Sequence, residues 1–323
     1  MKRQVITIAT GKKLYVDLAV NLARSFLLWH KTSDISFQLI TDLPHEVPAD
    51  VKTKIQLVSI QKGEIGEGFS TKLHLDKLIA EGQTLFIDSD CLVYRNLEFA
   101  FERFKGHAVS VVGGFIAEGE WFGDVKHVCR HFGIRHMPKF NGGVYYLEKG
   151  EKANRVYQTA REIERDYDSI GFVRLRNRPN DEVIISVAME LHGETPISDD
   201  GEIMAEFVNF KSGVKSDLLN NVAELYNDPV HKEYQPNWPL KVARPAIVHF
   251  LGHYHQTLPY LKEVSLLKYV SIGKIPTGLA QIATYLGVTL PKESVRMVKN
   301  TFRPLYHAFF GARKIVKSER IID

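Results

Sequence analysis

Cysteine is scarce: Cys91 and Cys129 are the two in 323 residues. That excludes a disulfide-built scaffold. Asn-x-Ser/Thr never occurs, so no sequence signal points to an oxidising or glycosylating compartment, and a cytoplasmic location is the expectation. Long hydrophobic runs are missing as well. No window approaches the roughly 18 uninterrupted apolar residues of a membrane span. The opening Met1-Lys2-Arg3-Gln4-Val5-Ile6-Thr7-Ile8 reads as a first strand more than as a signal peptide, which leaves only peripheral membrane contact. Neither sign of charge dominates. Forty-two Lys and Arg against 38 Asp and Glu leave +4, too little to argue for a nucleic-acid partner. Internal repeats and low-complexity tracts are absent. The Gly-Lys-Ser/Thr ending of a phosphate loop and a G-x-G-x-x-G are absent too.

What is present is an ordinary folded composition, 44% apolar and 25% charged. At about 150 residues per domain, this length means one large domain with an extension, or at most two domains. Short β-branched runs at residues 4–10, 37–41, 55–60, 84–87, 109–112 and 144–147 alternate with helical spacing such as Tyr15, Leu18, Leu22 and Phe26. That alternation predicts an α/β fold, a mostly parallel central sheet flanked by helices. Ligands of such sheets bind beyond the carboxyl ends of strands, where Thr10, Asp42, Asp88 and His249 fall. After about residue 256 the strand signal fades. We therefore expect domain 1–256 and a helical, basic C-terminal extension 257–323.

Leu85-Phe86-Ile87-Asp88-Ser89-Asp90-Cys91-Leu92-Val93 carries two carboxylates at the end of an apolar strand. Such a pair is self-repelling and poorly hydrated, and it calls for a cation. Oxygen ligands suit Mg²⁺, Ca²⁺ or Mn²⁺. The same residues also suit a turn, and on spacing alone a turn is the commoner use of Asp-x-Asp. Ala246-Ile247-Val248 delivers His249, whose imidazole either completes such a site or is a satisfied structural residue. His127, Cys129, His131 and His136 lack the spacing of a structural zinc site. Gly63, Gly66 and Gly68 lead into Ser70-Thr71-Lys72, where Lys72 meets either a phosphate or solvent. Phe140-Asn141-Gly142-Gly143 stands before a strand and invites close backbone approach. Asp181-Glu182 opens an apolar helical run, where acidic residues favour the dipole without any further role.

Taken in order, these segments resemble glycosyltransferase family 8, retaining, metal-dependent enzymes of the GT-A fold that use nucleotide sugars. The resemblance covers roughly residues 4 to 255. It implies Mn²⁺ (or Mg²⁺) on Asp88, Asp90 and His249, and a UDP-sugar donor touched by Ala9, Thr10, Tyr15, Lys72, Ser89, Asn141, Gly142, Gly252 and His255. It places Asp181 on donor hydroxyls and Glu182 beside the anomeric carbon. The implied reaction is hexose transfer to a saccharide or glycolipid acceptor with retention. Retention proceeds either through Glu182 as nucleophile or by front-face attack with no protein nucleophile. The sequence departs from the family in three ways. Gly11 replaces an acidic or amide residue, the family's Phe-Asn-Ser-Gly reads Phe-Asn-Gly-Gly, and the lysine after His-x-x-Gly is missing, with His253 or His255 its substitute. The rival readings are a sugar-phosphate nucleotidyltransferase and a catalytically silent sugar-binding or scaffolding protein of the same fold. The stretch 115–138, with Trp121 and Phe122, and the stretch 226–238 fit an acceptor cleft and fit equally packing under loops.

In the extension, Val295, Val298, Phe302, Leu305 and Phe309 form a helical stripe flanked by Arg296, Lys299 and Arg303, followed by Arg313, Lys314, Lys317 and Arg320. This pattern fits an anionic membrane surface and fits equally a helix docked on protein. Pro304 predicts a kink or two shorter helices.

Overall fold

A computed structural model describes residues 2–236, 238–273 and 275–311. The chain divides into two compact units between Gly252 and His253. In the first unit, β1 (Arg3–Ala9), β2 (Ile35–Thr41), β3 (Gln56–Ser59) and β4 (Gln83–Ile87) are β-branched or apolar runs. β5 (Cys91–Val93), β6 (Val109–Ile116), β7 (Met137–Glu148) and β8 (Ile197–Ser198) follow. Seven of these make one sheet in the order β3-β2-β1-β4-β7-β6-β8. β1 pairs in parallel with both β2 and β4, while β7 runs antiparallel to β4 and β6.

The period-2 alternation along β4 explains both layers of the core. Phe86 packs on one face, with Val156, Tyr157 and Ala160 of the helix Glu151–Arg165 and Val183, Ile184 and Val187 of the helix Asp181–Leu191. Leu85 and Ile87 pack on the other, with Val16, Ala19, Leu22 and Phe26 of the helix Lys13–Trp29. The sheet is therefore covered on both faces, as a mostly parallel sheet requires.

Two small sheets complete the unit. β9 (Met204–Glu206) joins β5, while β10 (Gly213–Asp217), β11 (Val222–Tyr226) and β12 (Val242–Ala243) form a separate ribbon. β13 (Ile247–His249) sits between β5 and β9, with His249 opposite Cys91 and Glu206.

The second unit is helical where it is described: Leu258–Ser271, Thr277–Thr284 and Leu290–Phe310. The last helix corrects the expectation of two shorter ones, because it runs through Pro304 without a break. A proline there removes one backbone donor, and twenty neighbours in a single regular run hold the geometry. Arg313, Lys314, Lys317 and Arg320 lie outside the described residues. No described helix is long and apolar enough to cross a membrane.

A second correction concerns Phe140-Asn141-Gly142-Gly143, which lies inside β7. β7 pairs with β6 at residues 137–140 and again at 145–147, and with β4 at 144–148, so residues 141–143 are an irregular stretch that interrupts the β6 pairing.

Candidate active site

Four separate stretches meet where β4 ends. The Asp88 N–H donates to Gly143 O at 2.9 Å, which locks the acidic turn against β7. Pairing of β13 with β5 then brings His249 beside Asp90, and Phe250 N–H donates to Asp90 O at 3.0 Å. His249 Nε2 lies 3.0 Å from Asp90 Oδ1 and 4.0 Å from Asp88 Oδ2. That nitrogen is buried and lacks the alignment of a hydrogen bond to any group.

The other ring nitrogen decides what Nε2 can do. His249 Nδ1 is 2.8 Å from Asn141 Oδ1, and the same oxygen accepts from Gly143 N–H at 3.0 Å. An oxygen can only accept, so Nδ1 carries a proton and Nε2 is the nitrogen left to face the two carboxylates, a charged partner of Asp90 when protonated and a lone-pair donor once a cation displaces that proton. An imidazole lone pair facing two carboxylates is a donor set that fits a divalent cation such as Mn²⁺. Cys91 Sγ also lies within 4.8 Å of the ligand atoms of Asp90 and His249, a neighbour sequence reasoning did not single out. Burial, with the Asp90 and Asp88 charges, pushes that thiol well above its usual range.

Charge at this end is unevenly balanced. Burial and then repulsion from Asp90 hold the Asp88 carboxyl above its ordinary value, despite Lys72. Burial acts in the same direction on Asp90, but the adjacent His249 outweighs it and lowers that carboxyl. His249 shifts upward, burial being overcome by Asp90.

Lys72 links this cluster to a second acidic pair. Its Nζ donates to Asp88 Oδ2 at 2.8 Å and to Gly142 O at 2.8 Å, and stands 3.4 Å from Asp181 Oδ2. It lies 5.5 Å from the Phe86 ring centroid and 5.6 Å from that of Tyr145. Burial opposes its charge, yet Asp181 and Asp88 together raise it further.

Asp181 and Glu182 open their helix as expected, but Asn180 is the cap, its Oδ1 accepting from Glu182 N–H at 2.9 Å. The two acidic side chains turn elsewhere. Asp181 Oδ2 accepts from Tyr145 OH at 2.5 Å, and Glu182 Oε1 accepts from Gly142 N–H at 2.9 Å. Burial and the Asp181 charge push the Glu182 carboxyl up to about 8, against the Gly142 N–H and Lys72. Both glycines stand in close quarters. A Cβ on Gly142 would come within 2.9 Å of Asp181 Oδ2 and of Tyr145 OH, and one on Gly143 within 2.6 Å of His249 Nδ1.

Beside Asp88 and Asp90 opens a cleft of about 540 Å³. Thr10, Tyr15, Lys72 and Ser89 line it, together with Asp42, which accepts from Gly11 N–H at 2.9 Å. Ala9 does not: alternation along β1 puts Ile8 and Thr10 on the cleft side and buries Ala9 under the helix Lys13–Trp29. Asn141, Gly142, Asp181 and Glu182 stand outside the cleft lining, joined to it through Lys72. Gly252 closes the first unit at φ +66, and His255 belongs to the second, in the turn Tyr254–Gln256. Arg176 and Arg178 also line the cleft. Sequence reasoning missed them, although two arginines flanking one residue just ahead of Asn180 were visible.

Among the acceptor candidates, Trp121 packs edge-on against Phe140 at 6.1 Å and Trp238 edge-on against Phe210 at 5.9 Å. Both rings thus have packing roles. The rings of His127 and His131 lie 6.4 Å apart on the helix Val125–Phe132, and they join no three-ligand cluster among the described residues.

With this geometry the fold is a GT-A-type glycosyltransferase fold. The chain is similar over 82% of its length to the WbbM bifunctional glycosyltransferase, at 11% identity, 50% of that chain and a TM-score of 0.51. It is also similar to the galactosyltransferase LgtC solved with donor and acceptor sugar analogs, at 14% identity, 77% of this chain, 87% of that one and a TM-score of 0.49. The glycosyltransferase GlyE of Streptococcus pneumoniae matches at 14% identity, 87% of this chain, 63% of that one and a TM-score of 0.49. No protein-family model matches the chain, and no curated protein sequence does.

Proposed function

We propose that the protein is a metal-dependent hexosyltransferase with a UDP-sugar donor and a saccharide or glycolipid acceptor, acting with retention as family 8 enzymes do. The observation that carries this reading is the placement of His249 Nε2, buried and facing Asp90 and Asp88 at a GT-A strand end. Asp88, Asp90 and His249 would hold the cation, and as a Lewis acid it would stabilise charge on the departing diphosphate. Thr10, Tyr15 and Asp42 would bind the nucleoside in the cleft, with Ser89 beside the phosphates. Asp181 and Glu182 would receive the sugar on the far side of Lys72, Asp181 oriented by Tyr145 and Glu182 by Gly142. Glu182 attacks as a nucleophile only after losing its proton, near pH 8. The nucleotidyltransferase alternative needs a phosphate-cradling loop near the start, whereas Gly11 N–H here faces the Asp42 carboxylate.

A purified sample screened with nucleotide sugars and Mn²⁺ should release nucleoside diphosphate, most from one UDP-sugar. Asp90→Asn, nearly unchanged in volume, should lower turnover by more than about a hundredfold with the fold intact. Full activity of that variant in the presence of a chelator would contradict the reading.

The helix Leu290–Phe310 supports a peripheral membrane role. None of its residues is buried, and Val298, Phe302, Leu305, Phe309 and Phe310 expose an apolar face beside Arg296, Lys299 and Arg303. Anionic vesicles should pellet the full chain and not one ending at Leu290. Equal pelleting of both would show that the helix is no anchor.

A further inference from the structure

The charge count around Lys72 leaves the proposed site short of positive charge. Asp88, Asp90 and Asp181 bring three negative charges and Lys72 one positive, so a divalent cation on the strand end only restores neutrality. A diphosphate diester then arrives with two negative charges of its own and leaves with three. The family's lysine after His-x-x-Gly is missing here.

Compensating charge lines the same cleft as the acidic turn. Lys12, Lys62, Arg176 and Arg178 all line the cleft, and Lys12, Lys62 and Arg176 have no ion pair among the described residues. Arg178 reaches Glu67 only at 3.4 Å. The two arginines are placed by a tight hairpin. Leu175 and Arg178 exchange backbone hydrogen bonds of 2.9 and 3.0 Å, and Arg176 and Asn177 between them take φ of +52 and +60. Such a two-residue turn normally selects Asn-Gly or Asp-Gly, so arginine at its first position serves something other than the turn. Leu175 is buried and anchors the hairpin. Gly68 on the facing loop completes the arrangement, since a Cβ there would come within 2.7 Å of Arg178 Nη1. That glycine leaves room for a guanidinium over the loop. The cations line one concavity, where their fields add and solvent screens them less than on a flat surface.

From this arrangement we infer that Arg176 and Arg178, with Lys62, form the diphosphate clamp of the cleft that Asp88 and Asp90 also line, binding the phosphate oxygens of a nucleoside diphosphate there. The inference rests on the proposed nucleotide-sugar reading. Guanidinium forks suit this task because each offers paired donors to a phosphate. The clamp also accounts for charge on the leaving diphosphate without the missing lysine.

The test titrates uridine and UDP, each with Mn²⁺ present, into the full-length protein and into Arg176→Ala/Arg178→Ala, by calorimetry. UDP affinity is expected to fall at least about tenfold while uridine affinity stays unchanged. Arg176→Lys/Arg178→Lys should keep most of the UDP affinity, and circular dichroism of both variants should match the wild type. UDP affinity within twofold of wild type in the alanine variant overturns the clamp and leaves the glycosyl-transfer reading standing. A parallel fall for uridine and UDP also overturns it, because that reports a collapsed loop. Failure of the wild type to bind UDP overturns both.

Discussion

Two acidic pairs lie on either side of Lys72, and the protein treats them in opposite ways. Asp88 and Asp90 end a strand and face the Nε2 of an imidazole; Asp90 is held ionised by His249. Asp181 and Glu182 start a helix and face donors, a tyrosine hydroxyl and a backbone N–H, and Glu182 keeps a proton until about pH 8. The same side-chain chemistry therefore yields a cation-seeking pair at one end and a mixed acid and hydrogen-bonding pair at the other. The difference comes from what each helix and strand places opposite the carboxylates. Lys72 is the shared element, touching one member of each pair.

Removing that shared element should give the largest effect. Lys72→Met keeps the bulk of the stem but leaves Asp88 and Asp181 in a buried setting without their cation, and should cost about 3 to 5 kcal/mol in denaturant unfolding. A loss below about 1 kcal/mol would mean that the two pairs do not depend on it.

Glu182→Gln separates the pairs by pH. Because the folded chain holds the Glu182 proton up to about 8 and the unfolded chain releases it near 4.5, wild-type stability should fall as pH rises through that window. The variant should lack this component of the slope, which reaches about 1.4 kcal/mol per pH unit between the two values. Parallel stability curves would refute the protonated assignment. In kinetics, a nucleophilic Glu182 requires wild-type kcat to rise with pH towards about 8 and to collapse in the variant. A variant kcat within a few-fold of wild type selects front-face transfer.

Asn141→Leu tests the cation-seeking pair without touching a carboxylate. Loss of the acceptor that fixes Nδ1–H should weaken Mn²⁺ binding by about ten- to a hundredfold, while overall stability changes little by comparison. Unchanged affinity would show that Asn141 does not set the His249 tautomer. The smallest effect belongs to the cap: Asn180→Ala should lower stability by about 1 kcal/mol and leave Mn²⁺ affinity intact. A large loss of Mn²⁺ affinity there would tie the two pairs more closely than the contacts indicate.

How much of this was readable beforehand depended on whether the signal was local. The β4 run ending in Asp88 is visible in sequence because strand, turn and carboxylates are contiguous, and the alternation that builds both core layers is visible for the same reason. Asn141 was noticed for its neighbouring glycines, but its role as partner of His249 requires two segments 108 residues apart to meet. Cys91 looked like one more strand residue until β13 brought His249 opposite it. Arg176 and Arg178 carried no motif, since a turn containing arginine has no sequence signature, and only the fold shows that they line a cleft with Asp88. Conversely, Pro304 gave a strong local signal for a break that the helix around it overrides.

The central claim is that Asp88, Asp90 and His249 hold a divalent cation. Mn²⁺ titration followed by electron paramagnetic resonance of the free ion, on wild type and on Asp90→Asn with UDP present, tests it most directly. The account predicts one saturable Mn²⁺ per chain in the wild type and its loss in the variant. Equal Mn²⁺ uptake by both proteins, or none by the wild type, would contradict it.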